Sequence, residues 1–368
     1  MSLRPKYRGD EHSNPRRTAK RRFLWLRRRR FQNLCGRWRN RNCHRKGLRK
    51  TALKANKESI SKKEDEMDNN NRISLTSGAF RAVVSPSTGG SLLAWQKTQA
   101  GGETVDLMRP ALPEAVEERA ADKTAMFPLV PYSNRIRGGY FIYWGIRRTV
   151  PKNHPVVPDP LHGEGWQTAW DVVDAAENSA TLAFDHNGKS GFPFAYRAEE
   201  SFKLQDNQLI VTLKLTNKGG IPMPCGLGVH PFFPKDDDTI VRFKNKTVWA
   251  HEAAPAREKP IKAPPEWQFE KGLKISGLEL DTCFGGFDGK AEIVWESRKR
   301  KIDITAYSDF GHVVVWSPAG ENFFCVEPVT NANDAFNLAS RGVAGTGIKT
   351  LAPSESLRET ITFTASEL

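Results

Sequence analysis

The stretch Leu209-Ile210-Val211-Thr212-Leu213-Lys214-Leu215-Thr216 decides the fold class. Leu209, Val211, Leu213 and Leu215 alternate with Ile210, Thr212, Lys214 and Thr216. This is the period-two pattern of a strand with one face buried. Working outward, Leu357, Ile361 and Phe363 alternate with polar neighbours near the C-terminus. Short β-rich runs recur at Phe80–Val84, Tyr140–Trp144, Thr181–Phe184, Thr239–Phe243, Ala291–Trp295, Ile302–Tyr307 and His312–Trp316. Turn signals such as Gly89-Gly90, Gly219-Gly220 and Asp288-Gly289 punctuate them. No segment carries sustained helical periodicity, and Pro113–Lys123 is the best helix candidate. Many strands with few helices imply an all-β protein, a large antiparallel β-sandwich. No linker-like break follows residue 72, so one domain over residues 67–368 is expected.

The net charge of +14 is distributed unevenly. Residues 1–66 hold 23 Lys/Arg against 6 Asp/Glu, which leaves 33 against 36 for the remainder. The excess positive charge therefore belongs to the first segment, which includes Arg27-Arg28-Arg29-Arg30. Low hydrophobicity with high like charge predicts a disordered basic extension. Three readings of it stand: a nucleic-acid-binding arm, an Arg-rich targeting peptide, or upstream sequence translated from a misplaced start. Met67, followed by Asp68-Asn69-Asn70-Asn71 and then patterned strands, suits a true N-terminus. A nucleic-acid partner is expected only through residues 1–66.

Five cysteines, none in a C-x-x-C pair, indicate neither a zinc site nor a disulfide framework. No apolar run approaches the roughly 18–20 residues of a membrane span. Phe23-Leu24-Trp25-Leu26 is too short for a secretory signal core. A cytoplasmic protein without a membrane partner is the simplest expectation. Nothing in the residues sets an oligomeric state.

Several segments have the composition for chemistry. Arg135, in Asn134-Arg135-Ile136, offers a rigid fork of donors to oxygen ligands, or a surface salt bridge. His162, in Leu161-His162-Gly163-Glu164-Gly165-Trp166, is followed by glycines that leave room for a ligand near the backbone, or it is a structural histidine. Trp166 and Trp170 offer faces for the C–H side of a sugar ring, or belong to the core. His230 lies in Gly226-Leu227-Gly228-Val229-His230-Pro231-Phe232-Phe233, where burial would tune a proton-transferring imidazole or simply enclose a core one. Glu327 ends the apolar run Phe323-Phe324-Cys325-Val326, where burial would raise its pKa toward that of a general base. Asp281 is either a ligand-binding carboxylate or a turn cap. Phosphate-binding loops, H-E-x-x-H and G-x-S-x-G are absent from the sequence.

The order Asn134-Arg135-Ile136, Leu161-His162-Gly163, Gly228-Val229-His230-Pro231-Phe232-Phe233, then Cys325-Val326-Glu327-Pro328 with Asn331 and Asp334-Ala335-Phe336-Asn337, resembles the aldose 1-epimerases (galactose mutarotases). The likeness spans roughly residues 72–366. It implies a β-sandwich with a sugar cleft on one sheet, and interconversion of α and β anomers of free aldoses without cofactor or metal. It further implies Glu327 as general base, His230 as general acid, and Arg135, His162 and Asp281 as sugar-holding residues. His154, Pro155 and Glu164 beside the Leu161-His162-Gly163 segment would alter which sugar fits. A hexose 6-phosphate mutarotase, which would need basic residues at the cleft rim, and a non-catalytic carbohydrate-binding sandwich are the alternatives.

Overall fold

The computed structural model describes residues 72–249, 259–307 and 309–368, with the backbone of Met67–Asp68, as two large antiparallel sheets and two short two-stranded ones. All of these lie in one unit, Asn56–Leu368. The expected basic extension over residues 1–66 and any nucleic-acid arm within it lie outside the described residues. No described helix is long and apolar enough to cross a membrane.

The strand Gln208–Asn217 lies in the middle of a nine-stranded sheet, paired with Ala195–Gln205 on one side and Ser356–Glu367 on the other. Leu209, Val211, Leu213 and Leu215 are fully buried in the inter-sheet core, as the alternation requires. Each such burial contributes about 1.5–3 kcal/mol. Each β-rich run named from the sequence contains a strand, with ends shifted by one or two residues in most cases; Ser179–Asn187 extends well past Thr181–Phe184.

The opposing sheet has twelve strands, and its centre runs Met126–Leu129, Gly228–Pro234, Phe323–Val329, His312–Ser317, Leu280–Gly285. These five strands are apolar on both faces, which is why their sequences read as runs rather than alternations. Val229, Phe233, Phe324, Val326, Val313, Val315 and Phe284 point into the inter-sheet core. Phe127, Phe232, Cys325, Val314 and Cys283 form a second apolar cluster on the outer face, with Trp166 packed over it.

The best helix candidate of the sequence, Pro113–Lys123, does not form an α-helix. Residues 113–119 are turns, Arg119 adopts a left-handed φ of 53°, and only the 3-10 turn Ala121–Lys123 follows. A non-glycine residue in that region interrupts a right-handed helix. The described residues hold one α-helix, Ala335–Ser340, within the Asp334-Ala335-Phe336-Asn337 motif. Its six residues are too few to show a 3.6-residue period.

Candidate active site

The site follows from strand register. Gly228 faces Val329 and Phe232 faces Cys325, so the residues midway between them, His230 and Glu327, lie opposite one another. His230 also faces Phe127, and Glu327 faces Val314, which faces Cys283. One row across the sheet is therefore Phe127, His230, Glu327, Val314, Cys283. The next row, two residues along each strand, is Phe232, Cys325, Trp316, Asp281. Directly opposed residues, and residues two apart, share a face. The sheet alone thus delivers His230, Glu327 and Asp281 to one surface.

His230 Nε2 lies 3.3 Å from Glu327 Oε1, and both side chains are almost fully buried. Glu327 Oε2 is buried without a hydrogen-bond partner. The imidazole packs against both Phe127 and Phe232, with ring centroids 4.5 and 4.8 Å away and planes within 28°, and the two phenyl rings lie 6.1 Å from each other. That stack continues outward: Trp166 lies 5.4 Å beyond Phe127, and the Arg109 guanidinium lies 3.8 Å over Phe232. Arg109 is fixed in turn by donating to the carbonyls of Asp122 and Thr124 at 3.0 and 2.7 Å. The ring therefore has little freedom to tilt.

Burial pushes the Glu327 carboxyl well above the usual carboxylate range; the nearby Asp281 adds to this and Arg135 opposes it. Burial, then the Arg109 charge, pushes the His230 imidazole down. Both shifts favour the neutral pair, with the shared proton on the carboxyl. Moving that proton to His230 leaves the summed charge of the pair unchanged.

Loops from outside the sheet complete the cleft. His162 sits at a left-handed φ of 60°, and its Nδ1 accepts from the Asn134 N–H at 3.0 Å. Burial, followed by the charges of His230 and Arg135, lowers its pKa well below the usual value, so it is neutral with its proton on Nε2. Arg135 Nη1 donates to Asn134 Oδ1 at 3.1 Å, and Nη2 lies 3.5 Å from Asp281 Oδ2. Asn331 and Asp334 clamp this loop. Asn331 Oδ1 accepts from Ser133 N and its Nδ2 donates to Ser133 O, at 3.1 and 3.0 Å. Asp334 accepts from Arg137 N and donates its own N–H to Arg135 O, at 3.0 and 3.2 Å. Gly226 makes room for the clamp, since a Cβ there would lie 2.0 Å from Asn331 Oδ1.

Arg135, His162, Asp281, His230 and Glu327 all line one cleft of about 470 Å³. Asp122, Asn134, His154, Val156, Val157, Pro158 and Trp316 line it too, and sequence reasoning did not assign these a role except for His154. Their approach depends on loop packing and strand order, which no local pattern encodes. His154 Nδ1 accepts from the Val156 and Val157 amides at 3.2 and 3.0 Å. Asn153 ties its loop down through both Leu161 and Gly163.

Three readings of this region are decided by the structure. Trp170 belongs to the inter-sheet core, and only Trp166 reaches the cleft. Gly163 makes room for protein rather than ligand, since a Cβ there would lie 2.2 Å from Val130 O. Glu164 turns away from the cleft, accepting from Phe192 N and, at 3.0 Å, from the Tyr196 hydroxyl, so it anchors the loop to the other sheet. A larger open depression of about 1390 Å³ lies elsewhere, lined by Phe80, Lys97 and Arg300, and it holds no comparable acid–base pair.

The comparisons with known proteins bear on the family and the fold. The sequence model described as "Aldose 1-epimerase" matches residues 71–364. The uncharacterized protein YphB of Escherichia coli K12 is 29% identical over 290 residues, 77% of this chain and 94% of that protein. A crystal structure of an E. coli K12 protein superposes with a TM-score of 0.72 at 26% identity, covering 80% of this chain and 98% of that one. A galactose mutarotase-like protein from Clostridium acetobutylicum superposes with a TM-score of 0.70 at 20% identity, covering 81% and 95%. The fold is the galactose mutarotase-like β-sandwich, and the chain belongs to the aldose 1-epimerase family.

Proposed function

We propose that the protein interconverts the α and β anomers of a free aldose by acid–base ring opening and closure. The observation that carries this reading is the buried His230–Glu327 pair, 3.3 Å apart on the wall of a sugar-sized cleft. Opening a hemiacetal requires loss of the O1 proton and gain of a proton at the ring oxygen, and these two oxygens share one carbon. An adjacent base and acid serve both, each contributing about 10²–10⁴-fold.

In the forward step Glu327 takes the O1 proton and His230 gives its proton to the ring oxygen as the C1–O5 bond breaks. The pair then stands as carboxylic acid and neutral imidazole, bound to the open-chain aldehyde. Rotation about C1–C2 presents the other carbonyl face, and closure returns both protons by the same routes. The burial that favours the neutral pair supports the open-chain stage of this cycle. With a closed ring bound, the proton passes from Oε1 to Nε2 along the 3.3 Å contact. Arg135, His162 through Nε2–H, and Asp281 hold the sugar hydroxyls. No group beyond these side chains is needed for the proton movements.

The charge around the cleft supports an unphosphorylated sugar. Among the described residues Asp122, Asp281 and Glu327 line it, and Arg135, which already faces Asp281, is the one Arg or Lys that does. A phosphate dianion would meet carboxyl groups with no free guanidinium or ammonium cluster to balance it. Polarimetry or NMR of freshly dissolved α-glucose, α-galactose, other aldoses and glucose 6-phosphate tests the proposal. Faster equilibration of a free aldose supports it. Acceleration of the phosphate ester alone would favour the phosphorylated-sugar alternative, and binding without acceleration would favour a carbohydrate-binding module.

A further inference from the structure

We propose that the cleft wall is a binding site for a thiophilic divalent cation, of which zinc is the type, held by His230, Glu327 and Cys325. One ring nitrogen of His230, a Glu327 carboxylate oxygen and Cys325 Sγ all lie within 4.8 Å of one another, and all three residues are buried. Strand register puts them there. His230 and Glu327 oppose each other, and Cys325 is two residues before Glu327 on the same face.

The spacing suits chelation. Nitrogen and oxygen ligands at about 2.0–2.1 Å from a tetrahedral zinc stand roughly 3.3 Å apart. His230 Nε2 and Glu327 Oε1 already stand 3.3 Å apart. Bringing Cys325 Sγ to a Zn–S bond of about 2.3 Å requires a shift on the order of 1 Å. The donor set of one imidazole, one carboxylate and one thiolate is one that zinc accepts, and hard cations such as magnesium do not favour it. The thiol and carboxyl protons leave to solvent, and the two anions then balance the dication in a buried setting. Asp281, at the end of the same row as Cys325, adds negative potential. His230 and Glu327 line the cleft and Cys325 is buried behind its surface, so a water or a sugar hydroxyl entering from the cleft would complete the coordination.

Such an ion occupies the acid and the base together, so it would compete with sugar and arrest ring opening. That consequence rests on the proposed function; the binding of metal does not.

The experiment uses the full chain, stripped with chelator, dialysed against zinc alone, and in parallel loaded with cobalt. Because residues 1–66 contain Cys35, Cys43 and two histidines, the informative quantity is the difference between variants. The wild-type chain is expected to bind one equivalent more than Cys325→Ser, Cys325→Ala or His230→Asn, each having lost at least tenfold in affinity. Cobalt is expected to give a thiolate charge-transfer band in the wild type that both cysteine variants lack. Near-ultraviolet circular dichroism confirms that the variants are folded. Equal stoichiometry and affinity in all four proteins, with no thiolate band, would mean an adventitious surface ion only and would overturn the proposal. Because neither readout needs turnover, a chain that binds zinc here but accelerates no mutarotation even when metal-free would contradict the mutarotase reading and leave the metal site standing.

Discussion

His230 and Glu327, 97 positions apart in the chain, face each other across adjacent antiparallel strands with Nε2 and Oε1 at 3.3 Å. Neither residue has comparable polar company in its own strand. Val229 and Val326, beside them in their strands, point into the inter-sheet core, so the two polar side chains meet on the opposite face. A buried pair of this kind is costly to break and is retained where its proton is useful.

Removing either member therefore removes most of the rate. Glu327→Gln and His230→Asn are each expected to lower kcat by about 10²–10⁴-fold. The double variant is expected to be little worse than the poorer single one, because the two groups act as one unit. Polarimetric progress curves measure this. Multiplicative losses would mean that the two act independently.

Arg135 is a binding residue in this reading, and its fork is divided between Asn134 and Asp281. Arg135→Lys keeps the charge but loses the two-pronged geometry. KM is expected to rise by about 10-fold, the equivalent of 1.4 kcal/mol, with kcat less affected. Initial rates across a range of sugar concentrations separate the two effects.

Gly226 and Asn331 are coupled sterically. A Cβ at Gly226 would lie 2.0 Å from Asn331 Oδ1, so Gly226→Ala displaces the side chain that clamps Ser133. Asn331→Ala removes both the clashing atom and the clamp. Chemical denaturation of the two single variants and the double variant is expected to show a double loss smaller than the sum by about 0.5–3 kcal/mol. Additive losses would show that the backbone, and not the Asn331 side chain, absorbs the strain.

Glu200 is fully buried on the strand Ala195–Gln205, and neither of its oxygens has a hydrogen-bond partner. Burial raises its pKa well above the ordinary 4.5. A carboxyl whose folded pKa is raised holds its proton in the folded state while the unfolded chain loses it. Stability then falls as pH rises above 4.5, by about 1.4 kcal/mol per pH unit up to the folded pKa. Glu200→Gln keeps the shape without the titration. It is expected to match the wild type near pH 4 and to exceed it in stability at pH 8, as read by denaturation midpoints. Equal stability at both values would show that Glu200 is ionised and partnered in the folded protein.

The fold was legible wherever one sheet face decides the alternation, as at Leu209–Thr216. The candidate site was legible only through ordered motifs, because the contact between His230 and Glu327 is set by register between strands distant in sequence. Asp122 and Trp316 escaped notice for the same reason. Trp166 and Trp170 look alike in the sequence; which one reaches the cleft depends on how the loop after His162 crosses between the sheets. Gly163 was expected to leave room for a ligand and instead admits the Val130 carbonyl. A glycine reports close approach of something, and the sequence does not say of what. The short helix Ala335–Ser340 buries Ala335, Phe336 and Leu338, with Phe336 against Tyr132, Phe141 and Phe192, and the Asp334 contacts to Arg135 and Arg137 fix its start; six residues are too few for that packing to show as a period in the sequence.

The central claim is tested most directly by following a freshly dissolved α-aldose by polarimetry or NMR, with wild-type protein and with Glu327→Gln at matched concentration. Acid–base mutarotation predicts equilibration well above the buffer rate with the wild type, and a rate near that of buffer with the variant. Equal rates for the two proteins, or no acceleration by the wild type with any free aldose in the panel, would contradict it.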